Sequence, residues 1–484
     1  MQQLSAQDAQ FLYLQTGNNL THVMSVNIYD PSTAPGGKVR FKDIIRHVES
    51  RLDVSPVFKR RLMRLPYDFD HPYWVEDEYF DIEHHMIHGR LPEPGDWRQF
   101  CIHLSRHFSR PMDLNRPLWD MYVIEGLDRI DDIPRGAYAI ATRVHHAAID
   151  GASAMHFFSA ISDKDAKGTP AIDLSATRSE LGTAPSTTTV VNRAIVSNIQ
   201  SPVKLASTLL RFTPAIFDTI KKSLASDSPQ STKVTTTRFN QAVSPHKMFD
   251  ATIFPLDDLK KIKTLADGAT INDVVLAIST GGLRRYLEHH GELPDDPMVA
   301  ISPVNARTGS RDAEMPGNNI SAMSVALPTN LADPVERLSV IRDTTRKTKA
   351  AKSGISARLM TDLTKHVPAA TMAGVARLIA GGRFTSKLCN LFVSNVPGPQ
   401  EALYMNGAKV LHTFGMAPLA DGMGLFIATP SYNGEMSFSV ISDRKMLPDI
   451  EFFTACLEEA FAELLAACPK KARRKSQKRS GKVK

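Results

Sequence analysis

Two rhythms of apolar residues run along this chain, and they change places often enough to mark an α/β protein. Over 6–14 the apolar residues Phe11, Leu12 and Leu14 gather as on one side of a helix, and 23–29 then alternates as a half-covered strand does. Helical spacing returns over 41–52 and 97–108, and short strands are predicted at 122–124 and 137–144. The second half repeats the mixture. It carries a strand over 247–254, helices over 256–264 and 272–289, and strands over 298–303, 323–327, 391–396, 425–430 and 436–442. A helix over 449–467 closes it.

Between the halves the pattern breaks down. Ser, Thr, Pro and Ala crowd 169–190, a helical stretch over 191–224 is interrupted at Pro202 and Pro214, and a second Ser/Thr-rich run follows at 226–238. The predicted organisation is an α/β unit over 1–165, a crossover over 166–245, a second α/β unit over 246–469 and a tail over 470–484. A chain of 484 residues is longer than one hydrophobic core usually organises, which agrees with two units. No repeat of solenoid period is present.

Charge changes the picture only at the end. The net charge of +7 resides in 470–484, which holds nine Lys or Arg and no acid; without it 49 basic residues face 51 acidic ones, or −2. The body is therefore near neutral, and the tail is either a solvated extension or an attraction for anionic lipid. No aromatic platform accompanies the charge, so nucleic acid is not an expected partner. Cys101, Cys389, Cys456 and Cys468 have no metal or redox spacing and read as buried reduced thiols. The first residues lack the layout of a secretory signal, and no apolar run reaches the ~18–20 residues of a spanning helix. The expectation is a cytoplasmic protein, peripheral on the inner membrane face or on lipid inclusions.

The segment AIATRVHHAAIDGASAMHFF (139–158) carries the most chemistry. A strand delivers His145 and His146, a short turn holds Asp150 and Gly151, and a helix is predicted at once. Imidazole suits proton transfer near neutrality, a carboxylate can fix its tautomer, and glycine permits a close backbone approach. The bare spacing His-x-x-x-Asp is weak, since His246 and Asp250 repeat it. The double histidine with an Asp-Gly turn between strand and helix is what marks a site.

HHAAIDG resembles the HHxxxDG motif of the CoA-dependent acyltransferases, which include chloramphenicol acetyltransferase, plant acyltransferases and peptide-synthetase condensation domains. The closest resemblance is to the bacterial wax ester synthase/diacylglycerol acyltransferases. LSAQDAQFLYLQT at the start, FKRRL (58–62), LPEPG (91–95) and RPLWDMYVIEGL (116–127) carry it in the first half. TINDVVLA (270–277), SPVNAR (302–307), GNNISAM (317–323), LPTNLADPVERL (327–338) and SNVPGP (394–399) carry it in the second.

The resemblance implies two chloramphenicol acetyltransferase-like domains forming a pseudo-dimer around a tunnel. His146 would be the general base that lets a lipid alcohol attack acyl-CoA directly, with His145 in support. It implies an ion pair between Asp150 and Arg307, and Asn272 as the oxyanion donor with Ser394 as the substitute. Pro117, Leu118, Trp119, Ser394 and Asn395 are its substrate-side candidates. Acyl-CoA is then a substrate, and no metal or prosthetic group is implied. The acceptors implied are diacylglycerol and long-chain fatty alcohol. The alternatives are a same-fold acyltransferase with another acceptor, or a lipid-binding protein without catalysis.

Other constellations read as structural. His103 and His107 have zincin spacing, but Leu104 stands where the glutamate belongs, and His84, His85 and His88 lack an Asp-Gly turn. Gly281–Gly282 has no phosphate-loop surroundings, and SNVPGP shows turn chemistry first. The stretches 191–224 and 366–379 have apolar faces with scattered cations, suited either to a membrane surface or to packing on the two units.

Overall fold

The computed structural model describes residues 2–55, 58–65, 70–148, 161–168, 234–305, 320–350, 369–380 and 385–469. Asp150, Gly151, Arg307, nearly all of the predicted crossover and the tail 470–484 therefore lie outside the described residues.

In the first unit the described elements begin with β1 (Gln2–Gln3), α1 (Ala6–Leu14), β2 (His22–Asp30) and α2 (Phe41–Glu49). There follow β3 (Arg60–Met63), β4 (Tyr73–Glu76), β5 (Met86–Arg90), α3 (Trp97–Phe108), β6 (Trp119–Glu125) and β7 (Tyr138–His145). The second unit opens with β8 (Lys247–Pro255), α4 (Leu256–Ile262), α5 (Ile271–His289), β9 (Met298–Asn305) and β10 (Ile320–Leu327). It continues with α6 (Pro334–Ala350), α7 (Ala369–Ala380), β11 (Leu391–Val396), β12 (Tyr404–Met405) and β13 (Ala408–Met416). Last come β14 (Leu425–Tyr432), β15 (Glu435–Asp443) and α8 (Ile450–Ala466).

Local chemistry starts the helices where the pattern predicts. Ser5 accepts from the Asp8 amide before α1, and Asp96 from the Gln99 amide before α3. Thr270 and Asp273 cap α5 reciprocally, and Asp273 also accepts from Thr345 of α6 at 2.7 Å. Gly281 and Gly282 serve close packing. A Cβ at Gly281 would sit 2.7 Å from Ala460 Cβ, and one at Gly282 would sit 2.5 Å from Leu457 Cδ2. The pair therefore lets α5 and α8 approach where any side chain would hold them apart.

Two six-stranded sheets carry the architecture. The second is ordered β10-β9-β11-β14-β15-β8 and draws only on the second unit. The first, β12-β13-β2-β7-β6-β5, takes β12 and β13 from the second unit, with β13 antiparallel to β2 from Lys409↔Asp30 to Met416↔Met24. The sequential boundaries thus do not coincide with the sheets. A strand lent across the interface ties the units together through backbone hydrogen bonds, and the cores merge accordingly. Met24, Val26 and Ile28 of β2 pack in one cluster with Phe249, Phe414 and Phe438. Helix α7, whose stretch suited either a membrane or a packing role, lies against α1 and buries Ala369, Ala373 and Ala376 in the first unit's core.

Candidate active site

Strand β7 is buried along its whole length, which explains its near-continuous apolar sequence. It ends at His145, and His146 opens a short 3-10 turn over His146–Ala148. The two histidines have different tasks. His145 is wholly buried, and its Nδ1 accepts the Ala147 amide at 3.1 Å. The proton must then sit on Nε2, which donates to Gln15 Oε1 at 2.9 Å and Thr21 Oγ1 at 3.1 Å. Both nitrogens are engaged, so His145 cannot take a proton without breaking the turn.

His146 is half-buried, and its amide is held by the Thr21 carbonyl at 2.9 Å. Its Nδ1 is shut away without a hydrogen-bond partner, and the residue lines the cavity. Phe11 of α1 stacks on the ring, with centroids 3.9 Å apart and planes 17° from parallel. Burial draws His146 down to about 4, while its own carbonyl pulls the other way. Burial brings His145 to about 3. Both rings are neutral at physiological pH.

The cavity measures about 660 Å³ and runs between the two sheets. Part of its wall follows from strand alternation, in which every second residue faces one way. Val23 and Ser25 come from β2, Thr413 and Gly415 from β13, Phe392, Ser394 and Val396 from β11, and Phe426, Ala428 and Pro430 from β14. Most of these side chains are apolar, so an extended hydrocarbon fits the wall better than a polar solute. Among the polar groups, Thr413 Oγ1 donates to Asn27, the Ser431 hydroxyl accepts from Gly398, and Tyr432 donates to the Val410 carbonyl. Ser394 lines the cavity too, and among the described residues its hydroxyl makes no hydrogen bond, only its carbonyl accepting from Thr429 Oγ1. Gly398 allows a close approach: a Cβ there would lie 2.2 Å from the Ser431 carbonyl oxygen.

Among the candidates that lie in the described residues, only Ser394 joins His146 in lining the cavity. Asn395 alternates to the opposite face of β11, where its Oδ1 is buried without a partner. Asn272 occupies the second position of α5 and is not among the residues that line the cavity. Pro117, Leu118 and Trp119 also lie off the wall. Leu118 and Trp119 are almost fully buried, Trp119 Nε1 donates to the Phe58 carbonyl, and the Leu118 carbonyl holds the His145 amide at 3.0 Å. Their packing role thus includes backbone support for the motif.

The other histidine groups are occupied by packing. His107 bonds Asp120 at 2.9 Å, His103 faces the Tyr122 hydroxyl, and His85 Nδ1 donates to the Trp119 carbonyl. In the second His-x-x-x-Asp copy, Asp250 accepts from Trp97 Nε1 and Thr454 Oγ1. Phe11, Gln15 and Thr21 escape the sequence reading. Phe11 and Gln15 lie within the opening motif and Thr21 just after it, and it takes pairing of β2 with β7 to place them beside the double histidine.

Comparison with known proteins agrees with this geometry. The family model for the wax ester synthase/diacylglycerol acyltransferase catalytic domain matches residues 4–275, and that for the WS/DGAT C-terminal domain matches 316–465. The chain is 30% identical to the O-acyltransferase WSD of Acinetobacter baylyi, over 95% of this chain and 96% of the other. The wax ester synthase/diacylglycerol acyltransferase of Marinobacter aquaeolei VT8 superposes with a TM-score of 0.68 at 27% identity, covering 96% and 98% of the two chains. The first condensation domain of the calcium-dependent antibiotic synthetase shares the fold, at a TM-score of 0.52 and 14% identity over 97% and 96%. The two-sheet architecture is thus the chloramphenicol acetyltransferase-like one, and the chain belongs to the wax ester synthase/diacylglycerol acyltransferase family of O-acyltransferases.

Proposed function

We propose that this O-acyltransferase moves a fatty acyl group from acyl-CoA to diacylglycerol or a long-chain fatty alcohol, with His146 as general base. The carrying observation is a neutral histidine, its Nδ1 shut away, in the wall of a largely apolar cavity. In the reaction, Nε2 takes the hydroxyl proton as the alcohol oxygen bonds to the thioester carbonyl carbon. The carbonyl becomes an oxyanion, the C–S bond then breaks, and the departing CoA thiolate takes the proton back from the imidazolium. Ester and free CoA leave, and the base is regenerated without a metal or prosthetic group. A buried imidazole is a weak base until charge develops beside it, so a hydrogen-bond donor to the oxyanion matters more than usual. Ser394 is the donor we assign, since it lines the cavity with His146 whereas Asn272 does not. Asp150 and Arg307 are assigned the supporting ion pair, and Gly151 the turn that follows the base.

The test is CoA release from palmitoyl-CoA with hexadecanol or dioleoylglycerol, comparing wild type with His146→Ala. Acceptor-dependent release that vanishes in the folded variant supports the reading, whereas equal release from both refutes the role of His146. No helix among the described residues is long and apolar enough to cross a membrane. We assign the protein a peripheral place on membrane or lipid inclusions, with the basic tail as the attracting element. Deletion of 470–484 should reduce co-sedimentation with anionic liposomes, and unchanged binding removes that role.

A further inference from the structure

We propose that Gln15 and Thr21 are positioning residues for His146, acting through His145. The inference rests on the acyl-transfer reading above. His146 is held from two sides: the Thr21 carbonyl binds its own amide, and His145 Nδ1 binds the amide of Ala147, the next residue. The backbone just after the base therefore depends on the orientation of the His145 ring. That orientation is fixed at the far nitrogen, where Nε2 donates to Gln15 Oε1 and Thr21 Oγ1. Thr21 Oγ1 can accept there because it donates its own proton to the Phe11 carbonyl at 2.8 Å.

The segment that carries these groups is itself anchored on the second unit. Asn18 Nδ2 donates to the Val243 carbonyl at 3.1 Å, and Asn19 Oδ1 accepts the Asp421 amide at 2.9 Å. A buried polar junction in apolar surroundings costs free energy unless every member is paired, and an apolar pair would fill the same space. What the polar version adds is one tautomer and one ring orientation for His145. Those two properties fix the turn that holds His146 in the cavity wall.

The experiment uses the full chain, with steady-state CoA release from palmitoyl-CoA and hexadecanol. The variants are Gln15→Met with Thr21→Val together, Thr21→Ser alone, and the double change on a His145→Ala background. The double variant should lose about 10- to 100-fold in kcat with KM moved less than about threefold, as misorientation of a catalytic group does. Thr21→Ser, which keeps the hydroxyl, should stay within about threefold of wild type, and the double change should cost nothing further once His145 is gone. A double variant with kcat near that of wild type, a loss confined to KM, or an additive loss on the His145→Ala background overturns the proposal. If His145→Ala does not fold, Gln15→Glu in the Thr21→Val background keeps an acceptor and decides instead: recovery supports the proposal and continued loss overturns it. A wild type without acceptor-dependent release refutes the acyl-transfer reading and this inference together. Loss in His146→Ala beside an active double variant refutes this inference alone.

Discussion

Acidification should destabilise this fold well above the range in which carboxylates protonate, because two buried imidazoles are held neutral by geometry. His22 lies directly across the β-ladder from His145, and both are fully buried. His22 Nε2 donates to the Phe108 carbonyl at 2.7 Å, while its Nδ1 is buried with no partner to receive a second proton. His145 would have to place a proton against the Ala147 amide. Burial brings His22 to about 3, helped by the nearby Arg143 guanidinium, and His145 to about 3 as well. In the unfolded chain each titrates at about 6.5, so below that pH the unfolded state binds more protons and the fold loses stability.

The loss approaches about 1.4 kcal/mol per pH unit per histidine, so lowering the pH from 7 to 5 costs about 2 kcal/mol each for His22 and His145, and His146, which burial draws to about 4, adds a similar amount. Asp120 does not contribute in that window. Its burial alone would raise it, but His107 and Arg143 hold it at about 2, so its share is lost only below about pH 4. Asp250, raised by burial, works in the opposite direction. Urea unfolding of wild type and His22→Asn at pH 7.0, 6.0 and 5.0 isolates the effect. The variant's loss of stability between pH 7 and pH 5 should be smaller than that of wild type by about 2 kcal/mol, whatever its stability at pH 7. Equal slopes in the two proteins would falsify the account of His22 as a buried neutral group.

Further predictions concern the core and the site. Arg143 is paired with Asp120 at 2.6 Å and also caps α3 through the His107 and Arg110 carbonyls, so Asp120→Ala leaves a buried cation unpaired. A thermal melt should report a loss of about 3–5 kcal/mol, and a change under 1 kcal/mol would contradict the buried-pair reading. Gly282→Ala should cost about 1–3 kcal/mol by forcing α5 from α8, with kcat of the folded fraction unchanged because the pair lies off the cavity. Ser394→Ala should lower kcat by about 10²–10³ with little change in KM, and an unaltered kcat would return the oxyanion role to another donor.

The sequence by itself determined the chemistry of the segment that ends β7 and the local start of each capped helix. The reason is that tautomer-bearing side chains, turn glycines and helix caps act within a few residues of their own position. Ser5, Asp96 and Thr270 begin their helices through contacts three residues away, and β7 is largely apolar because it is buried along its length. Periodicity likewise placed β2, α3, β8 and α8 close to their observed bounds. It did not reveal α6, whose polar face dominates its sequence, or β12 and β13, whose partners lie far away in the chain. The same is true of Gln15 and Thr21, ordinary polar residues until β2 pairs with β7. Only the tertiary structure decided the cavity, because its wall is assembled from four strands and the loops beside them, one strand lent across the interface, and no local interaction encodes which strands will meet.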